Sequence, residues 1–126
     1  MKQISQSEMV VMDVLWDKAP MAASDIADRV TDEGWNIRTI KTLLSRLVQK
    51  DILATQEDGR RYLYTPLLSK EDYGARILDT VSQQFFKDNA APLFLHLAKS
   101  NSLSEGDIDE ITELLKSLKP KSGAAS

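Results

Sequence analysis

A mainly α fold interrupted by one β-hairpin is predicted by three observations in this chain of 126 residues. Apolar residues recur at three- and four-residue spacings in several separate stretches. Residues 52–66 switch to alternation around a Glu-Asp-Gly turn. The positive charge, in a chain whose net charge is −3, is gathered into one short region. The length suits one ordinary domain or two small ones.

From Ser5 the chain reads SQSE, a capping box in which hydroxyl and carboxylate each take a backbone N–H left free at a helix start. Met9, Val10, Met12, Val14, Leu15 and Trp16 follow, and Ala19-Pro20 breaks this first helix. Ser24 opens a short second helix in which Ile26, Ala27 and Val30 share a face, Asp25 and Asp28 suit the early turn, and Gly34 closes it. Asn36 is the expected N-cap of a third helix over 36–50, with Ile37, Ile40, Leu43, Leu44, Leu47 and Val48 on its core side. At roughly 100° per residue, Arg38, Thr42, Ser45, Arg46 and Gln49 fall together opposite, with Lys41 and Lys50 at the two borders. ILATQ, then EDG, then RRYLYTP read as strand, turn and strand. Helix, helix, amphipathic helix and hairpin in that order predict an N-terminal winged helix-turn-helix domain with a small β-hairpin wing, residues 1–66.

After the junction at Pro66, SKED resembles another capping box before a long helix from about Lys70 to Lys87. AAPLFLHLAKS is strongly apolar, and Ser104-Glu105-Gly106-Asp107 starts a last helix. Residues 67–119 are therefore predicted as a C-terminal three-helix domain, and 120–126, rich in Gly, Ala and Ser, as a disordered tail. Three helices in about 50 residues bury little surface by themselves. A second copy of the chain completes the core most simply, so the domain is predicted to be a homodimerisation domain. The first of its helices would supply Tyr73, Ile77, Val81, Phe85 and Phe86 to that interface. The second would supply Leu93, Phe94 and Leu97, and the third Ile108, Ile111 and Leu115.

The charge is uneven: residues 1–35 carry net −4, residues 36–66 net +3 and residues 67–126 net −2. The third helix holds four cations and no acid over residues 36–50. Fork-shaped donors beside short hydroxyl side chains let a helix lie deep in a groove of double-stranded DNA while its cations reach guanine edges or phosphates. Arg38, Thr39, Lys41, Thr42, Ser45 and Arg46 are the candidate DNA-binding residues of this helix. A solvated helix face is the plainer reading, but the lack of acids in an acidic chain and the helix-turn-helix spacing favour groove recognition. Arg60, Arg61 and Tyr62 suit a wing that reaches the DNA backbone or minor groove, although Glu57 and Asp58 share its tip.

Other chemistries find little footing. The chain has no cysteine, which removes disulfides, thiolate metal sites and cysteine nucleophiles. Its single histidine, His96, sits in an apolar helix and reads as a core or interface residue, and its five glycines are scattered rather than gathered in a phosphate loop. Asp107, Asp109, Glu110 and Glu113 begin a helix and complement its dipole. No catalytic residue, metal site or cofactor is predicted, and the chain is not read as an enzyme. The N-terminus lacks a basic leader followed by an apolar run, and no stretch approaches about 18 apolar residues. A cytoplasmic protein without direct membrane association is expected.

The residues also carry a family likeness. TIKTLLSRLVQKDIL (residues 39–53), supported by EMVVMDVLW (8–16) and GRRYLYTP (59–66), resembles the penicillinase repressor, or BlaI/MecI, family of bacterial winged-helix regulators. The resemblance implies a homodimeric repressor of palindromic operators, whose targets are either β-lactam-resistance genes or unrelated ones. It also implies an indirect partner, a membrane-bound sensor with a zinc-protease domain, whose signal leads to cleavage of the repressor in its C-terminal domain. The family's Asn-Phe cleavage pair is matched here by His96-Leu97, the candidate cleavage site. A copper-sensing branch relies on C-terminal cysteine pairs that this chain lacks. The alternative is a winged-helix module that binds protein without direct DNA readout; such a module needs no acid-free face on its third helix.

Overall fold

Ser5 caps helix α1 (Gln6–Asp17) as its sequence predicts: the Ser5 hydroxyl accepts from the Glu8 N–H at 3.1 Å and the Glu8 carboxylate accepts from the Ser5 N–H at 2.9 Å. These distances come from a computed structural model describing residues 3–87, 89–100 and 103–118; the tail expected from Pro120 lies outside the described residues. Strand β1 (Met21–Ala22) runs directly into α2 (Ala23–Arg29), and a single 3₁₀ turn (Thr31–Glu33) leads to α3 (Ile37–Gln49). Strands β2 (Leu53–Asp58) and β3 (Arg61–Pro66) follow, then α4 (Lys70–Phe86), α5 (Ala91–Lys99) and α6 (Glu105–Ser117).

The three strands form an antiparallel sheet ordered β1-β3-β2. Met21 pairs with Tyr64 and Ala22 with Leu63, while the hairpin register runs from Leu53 opposite Pro66 to Asp58 opposite Arg61. That register leaves Gly59 and Arg60 as a two-residue turn. Gly59 takes φ +65, the left-handed conformation such a tight reversal needs and a side chain resists. Strand β1 is a finding beyond the sequence reading, which placed the second helix after Ser24; α2 instead begins at Ala23 with no side-chain cap, because strand pairing fixes its entry.

The turn from α3 into the wing is equally specific. Ile52 N–H donates to the Leu47 carbonyl and Asp51 N–H to the Val48 carbonyl, both at 3.0 Å, and Asp51 sits at φ +61. This is the Schellman closure, with Ile52 and Leu47 both buried beneath it. The hairpin therefore springs from α3 at a set angle.

Contacts divide the chain into a unit ending at Asp79 and a second beginning at Thr80. The core of the first is built from Val11, Met12, Leu15, Ile26, Ile40, Leu44 and Leu47, all at 1% exposure or less. This unit extends beyond the boundary expected at Pro66, because the first turns of α4 are tied into it. Tyr73, expected at a dimer interface, is corrected to a core residue of this unit at 7% exposure. Its hydroxyl accepts from the Ile4 N–H at 2.7 Å, its ring lies 6.2 Å from that of Trp16, and the Trp16 indole N–H donates to the Leu68 carbonyl at 3.0 Å. Ile77, one turn on, is half-buried against the same core. An aromatic with a polar tip is matched here by a partner at each end.

The second unit holds the end of α4, α5 and α6. Ser104 and Asp107 form the capping box expected at the start of α6, which holds the Asp107 carboxyl below its usual range through the Ser104 N–H and hydroxyl. Neither α5 nor α6 contains a buried residue. Phe85 is 72% exposed, and Phe94, Leu97, Ile108 and Leu115 are exposed, while Val81, Phe86, Leu93 and Ile111 are half-buried. His96 is exposed on α5 rather than enclosed in a core. No helix among the described residues is long and apolar enough to cross a membrane.

Candidate nucleic-acid interface

Helix α3 is presented by its own ends. Asn36 Oδ1 accepts from the Thr39 N–H at 2.8 Å, capping the N-terminus as expected, and the Schellman closure holds the other end. Ile40, Leu43, Leu44 and Leu47 anchor its inner side. Arg38, Lys41, Thr42, Ser45, Arg46 and Gln49 are all exposed on the outer side, with Thr39 half-buried at its edge. Among the described residues, Arg38, Lys41 and Arg46 take part in no ion pair. Their charge is therefore available to an external anion.

The Thr42 hydroxyl donates to the Arg38 carbonyl at 3.0 Å. With its proton directed back into the helix, Thr42 offers outward a methyl group and acceptor lone pairs. In a DNA major groove those features complement the thymine methyl or the amino groups of adenine and cytosine. Together with Ile37, Arg38, Lys41, Ser45 and Arg46, it lines a shallow groove of about 490 Å³ along the helix.

Two residues stand differently from the sequence reading. Lys50, counted there as a border cation of the outer face, turns inward: its ammonium donates to Glu8 Oε1 at 2.5 Å and to the Gln3 carbonyl at 2.9 Å. Glu8 is 1% exposed and ties the start of α1 to the end of α3. Burial acts to raise its pKa, but the bonded Lys50 ammonium and the Ser5 N–H outweigh that and hold the carboxyl below its ordinary 4.5. Ile37, expected in the core, is instead 43% exposed at the first position of α3.

Ile37 also lines a second groove, of about 300 Å³, with Ser24, Lys41, Arg60, Arg61, Tyr62 and Tyr64. Here the recognition helix, α2 and the hairpin meet. Burial, with the neighbouring Tyr62 phenol, raises the Tyr64 pKa and keeps it a neutral hydroxyl. Ser24 and Tyr64 escaped sequence reasoning, since only the β1–β3 pairing brings them beside the cations. Tyr62 is 51% exposed, and its hydroxyl lies 3.5 Å from Glu57. Arg61 Nε lies 3.2 Å from Asp58 and Nη1 3.7 Å from Asp25 on α2, whereas Arg60 has no ion pair among the described residues. No three His, Cys, Asp or Glu side chains among the described residues converge as metal ligands.

A winged helix with an unopposed cationic face points to nucleic acid, and comparison with known proteins supplies the family. A sequence model described as penicillinase repressor matches residues 4–117. The chain belongs to the penicillinase repressor family. It is 27% identical over 115 residues to the penicillinase repressor of Bacillus licheniformis, covering 90% of each chain. To the methicillin resistance regulatory protein MecI of Staphylococcus aureus it is 25% identical over 114 residues, covering 90% of this chain and 93% of that one. The solved DNA-binding domain of the repressor BlaI superposes with a TM-score of 0.50 at 32% identity, over 58% of this chain and 94% of that one. As a member of this family the chain is a DNA-binding transcriptional repressor of winged-helix fold, not an enzyme.

Proposed function

We propose that two copies of the chain place α3 in successive major grooves of a dyad-symmetric operator, with half-sites on the order of 10 bp apart. The observation that carries this reading is the outer face of α3, where Arg38, Lys41 and Arg46 are exposed and without ion pairs beside Thr42 and Ser45. Arg46 and Thr42 read bases, Arg38 and Lys41 position the helix on phosphates with Thr39 at its edge, and Ser45 lets the helix sit deep. The wing, through Arg60 and Tyr62, meets the flanking backbone or minor groove.

The second unit joins the two copies. Its exposed Phe85, Phe94, Leu97, Ile108 and Leu115, with Val81, Phe86, Leu93 and Ile111, supply the apolar surface for that contact. Repression is relieved by a signal acting on this unit. Proteolysis at His96-Leu97, following a membrane-bound sensor protease, is the release step we favour. Both residues lie on α5 and are exposed within one chain, and because Leu97 also belongs to the contact between copies, cleavage there requires α5 to open and that contact to loosen.

Arg46→Ala tests the recognition face. Loss of a base contact weakens binding by about 1–3 kcal/mol at each half-site and relaxes selectivity at the contacted position. Fluorescence anisotropy against a set of single-base operator variants reads both effects. Unchanged affinity and an unchanged variant profile would remove Arg46 from base reading.

A further inference from the structure

Arg60 and Arg61 are adjacent in sequence but differently engaged. Arg61 lies opposite Asp58 across the hairpin, and its guanidinium reaches both Asp58, at 3.2 Å, and Asp25 on α2, at 3.7 Å. Arg60 occupies the two-residue turn and has no ion pair among the described residues. The middle of β3 is already joined to α2, because Ala22 pairs with Leu63 and α2 begins at the next residue. Arg61 adds a second tie from the tip of the wing to the same helix.

We propose that Arg61 is a positioning residue, which pins the wing to α2 through Asp25 so that Arg60 and Tyr62 meet the flanking DNA, and that it does not itself contact phosphate. This rests on reading the hairpin as a DNA-contacting wing. The charge arrangement argues for it. Two carboxylates share the Arg61 guanidinium, so its field is cancelled a short distance away, whereas that of Arg60 is not. Swinging Arg61 to a phosphate would leave Asp25 and Asp58 near the DNA without a counter-charge, and both would repel it. A single exposed ion pair is weak, but two acids on separate elements around one planar guanidinium define a direction for the wing.

A charge exchange separates positioning from contact, because it keeps net charge and the tie between positions 25 and 61, though not the one to Asp58, while reversing what residue 61 offers the DNA. The full chain is titrated against a dyad-symmetric duplex from upstream of its own gene, at several salt concentrations, as parent, R61E, D25R/R61E and R60A, with Tm recorded for each. R61E binds roughly tenfold more weakly, since repulsion from Asp25 and Asp58 frees the wing, and D25R/R61E recovers to within about threefold of the parent. R60A, which removes one phosphate contact from each of the two copies on the duplex, lowers the salt slope by about 1.8. If D25R/R61E stays as weak as R61E, residue 61 touches the DNA and the proposal is overturned. A lowered Tm with unchanged affinity in R61E makes Arg61 merely structural and overturns it too. An R60A slope equal to the parent's takes the wing off the DNA, which removes the reading beneath the proposal.

Discussion

Glu8→Ala lowers the unfolding free energy of the first unit by about 3 kcal/mol, a large share of the 5–15 kcal/mol typical of a domain. Glu8 is 1% exposed and holds three groups together: the Lys50 ammonium, the Ser5 N–H and, through the capping box, the first turn of α1. Truncation leaves Lys50, whose side chain is 25% exposed, with only the Gln3 carbonyl, and removes the half of the capping box that satisfies the Ser5 N–H, while the Ser5 hydroxyl still accepts from the residue-8 N–H. Urea unfolding followed by circular dichroism measures the loss. The effect is pH-dependent, because the Glu8 carboxyl is lower in the folded state than its ordinary 4.5. Its contribution is complete above about pH 4.5 and is lost as the pH falls through the lowered folded value. Parent and variant therefore converge in acid. A difference below about 1 kcal/mol at pH 7, or one that persists undiminished at pH 3, would contradict this role.

If two copies join through the second unit as proposed, splitting that contact costs DNA binding more than losing any single DNA contact. Phe94 and Leu115 are 41% and 54% exposed within one chain, so replacing both with Asp leaves the fold of that chain intact while placing charge in the interface. Two linked half-site contacts become two separate ones, and operator affinity falls by about 10²- to 10⁴-fold. Analytical ultracentrifugation at micromolar concentration shows the parent as a dimer and the variant as a monomer. A variant that still sediments as a dimer would place the interface elsewhere. A monomer with parental affinity would detach repression from dimerisation.

Local chemistry accounts for what was legible in the sequence. The capping residues Ser5, Asn36 and Ser104 announce their helices, since the side chain that satisfies a free N–H lies within three residues of it. The outer face of α3 is likewise readable, because helical period and charge sign lie in one stretch of thirteen residues. Features that depend on distant partners were not legible. Strand β1 spans two residues, too short for any period, and exists because Leu63 and Tyr64 lie beside it. Lys50 turns inward because Glu8, 42 positions away, is buried beneath it, and Tyr73 enters the core because Ile4 and Trp16 meet it. Arg60 and Arg61 look equivalent in the sequence, and the hairpin register that sets Arg61 opposite Asp58, with the placement of Asp25 on α2, distinguishes them.

The central claim is that the acid-free face of α3 recognises a particular DNA sequence rather than phosphate charge in general. The ratio of the full chain's affinities for a dyad-symmetric duplex from upstream of its own gene and for a scrambled duplex of equal length, at physiological salt, tests this most directly. Sequence reading predicts a ratio of about 10³ or more. Equal affinities that fall together as salt rises would mean that phosphate attraction alone drives binding, and would contradict the account.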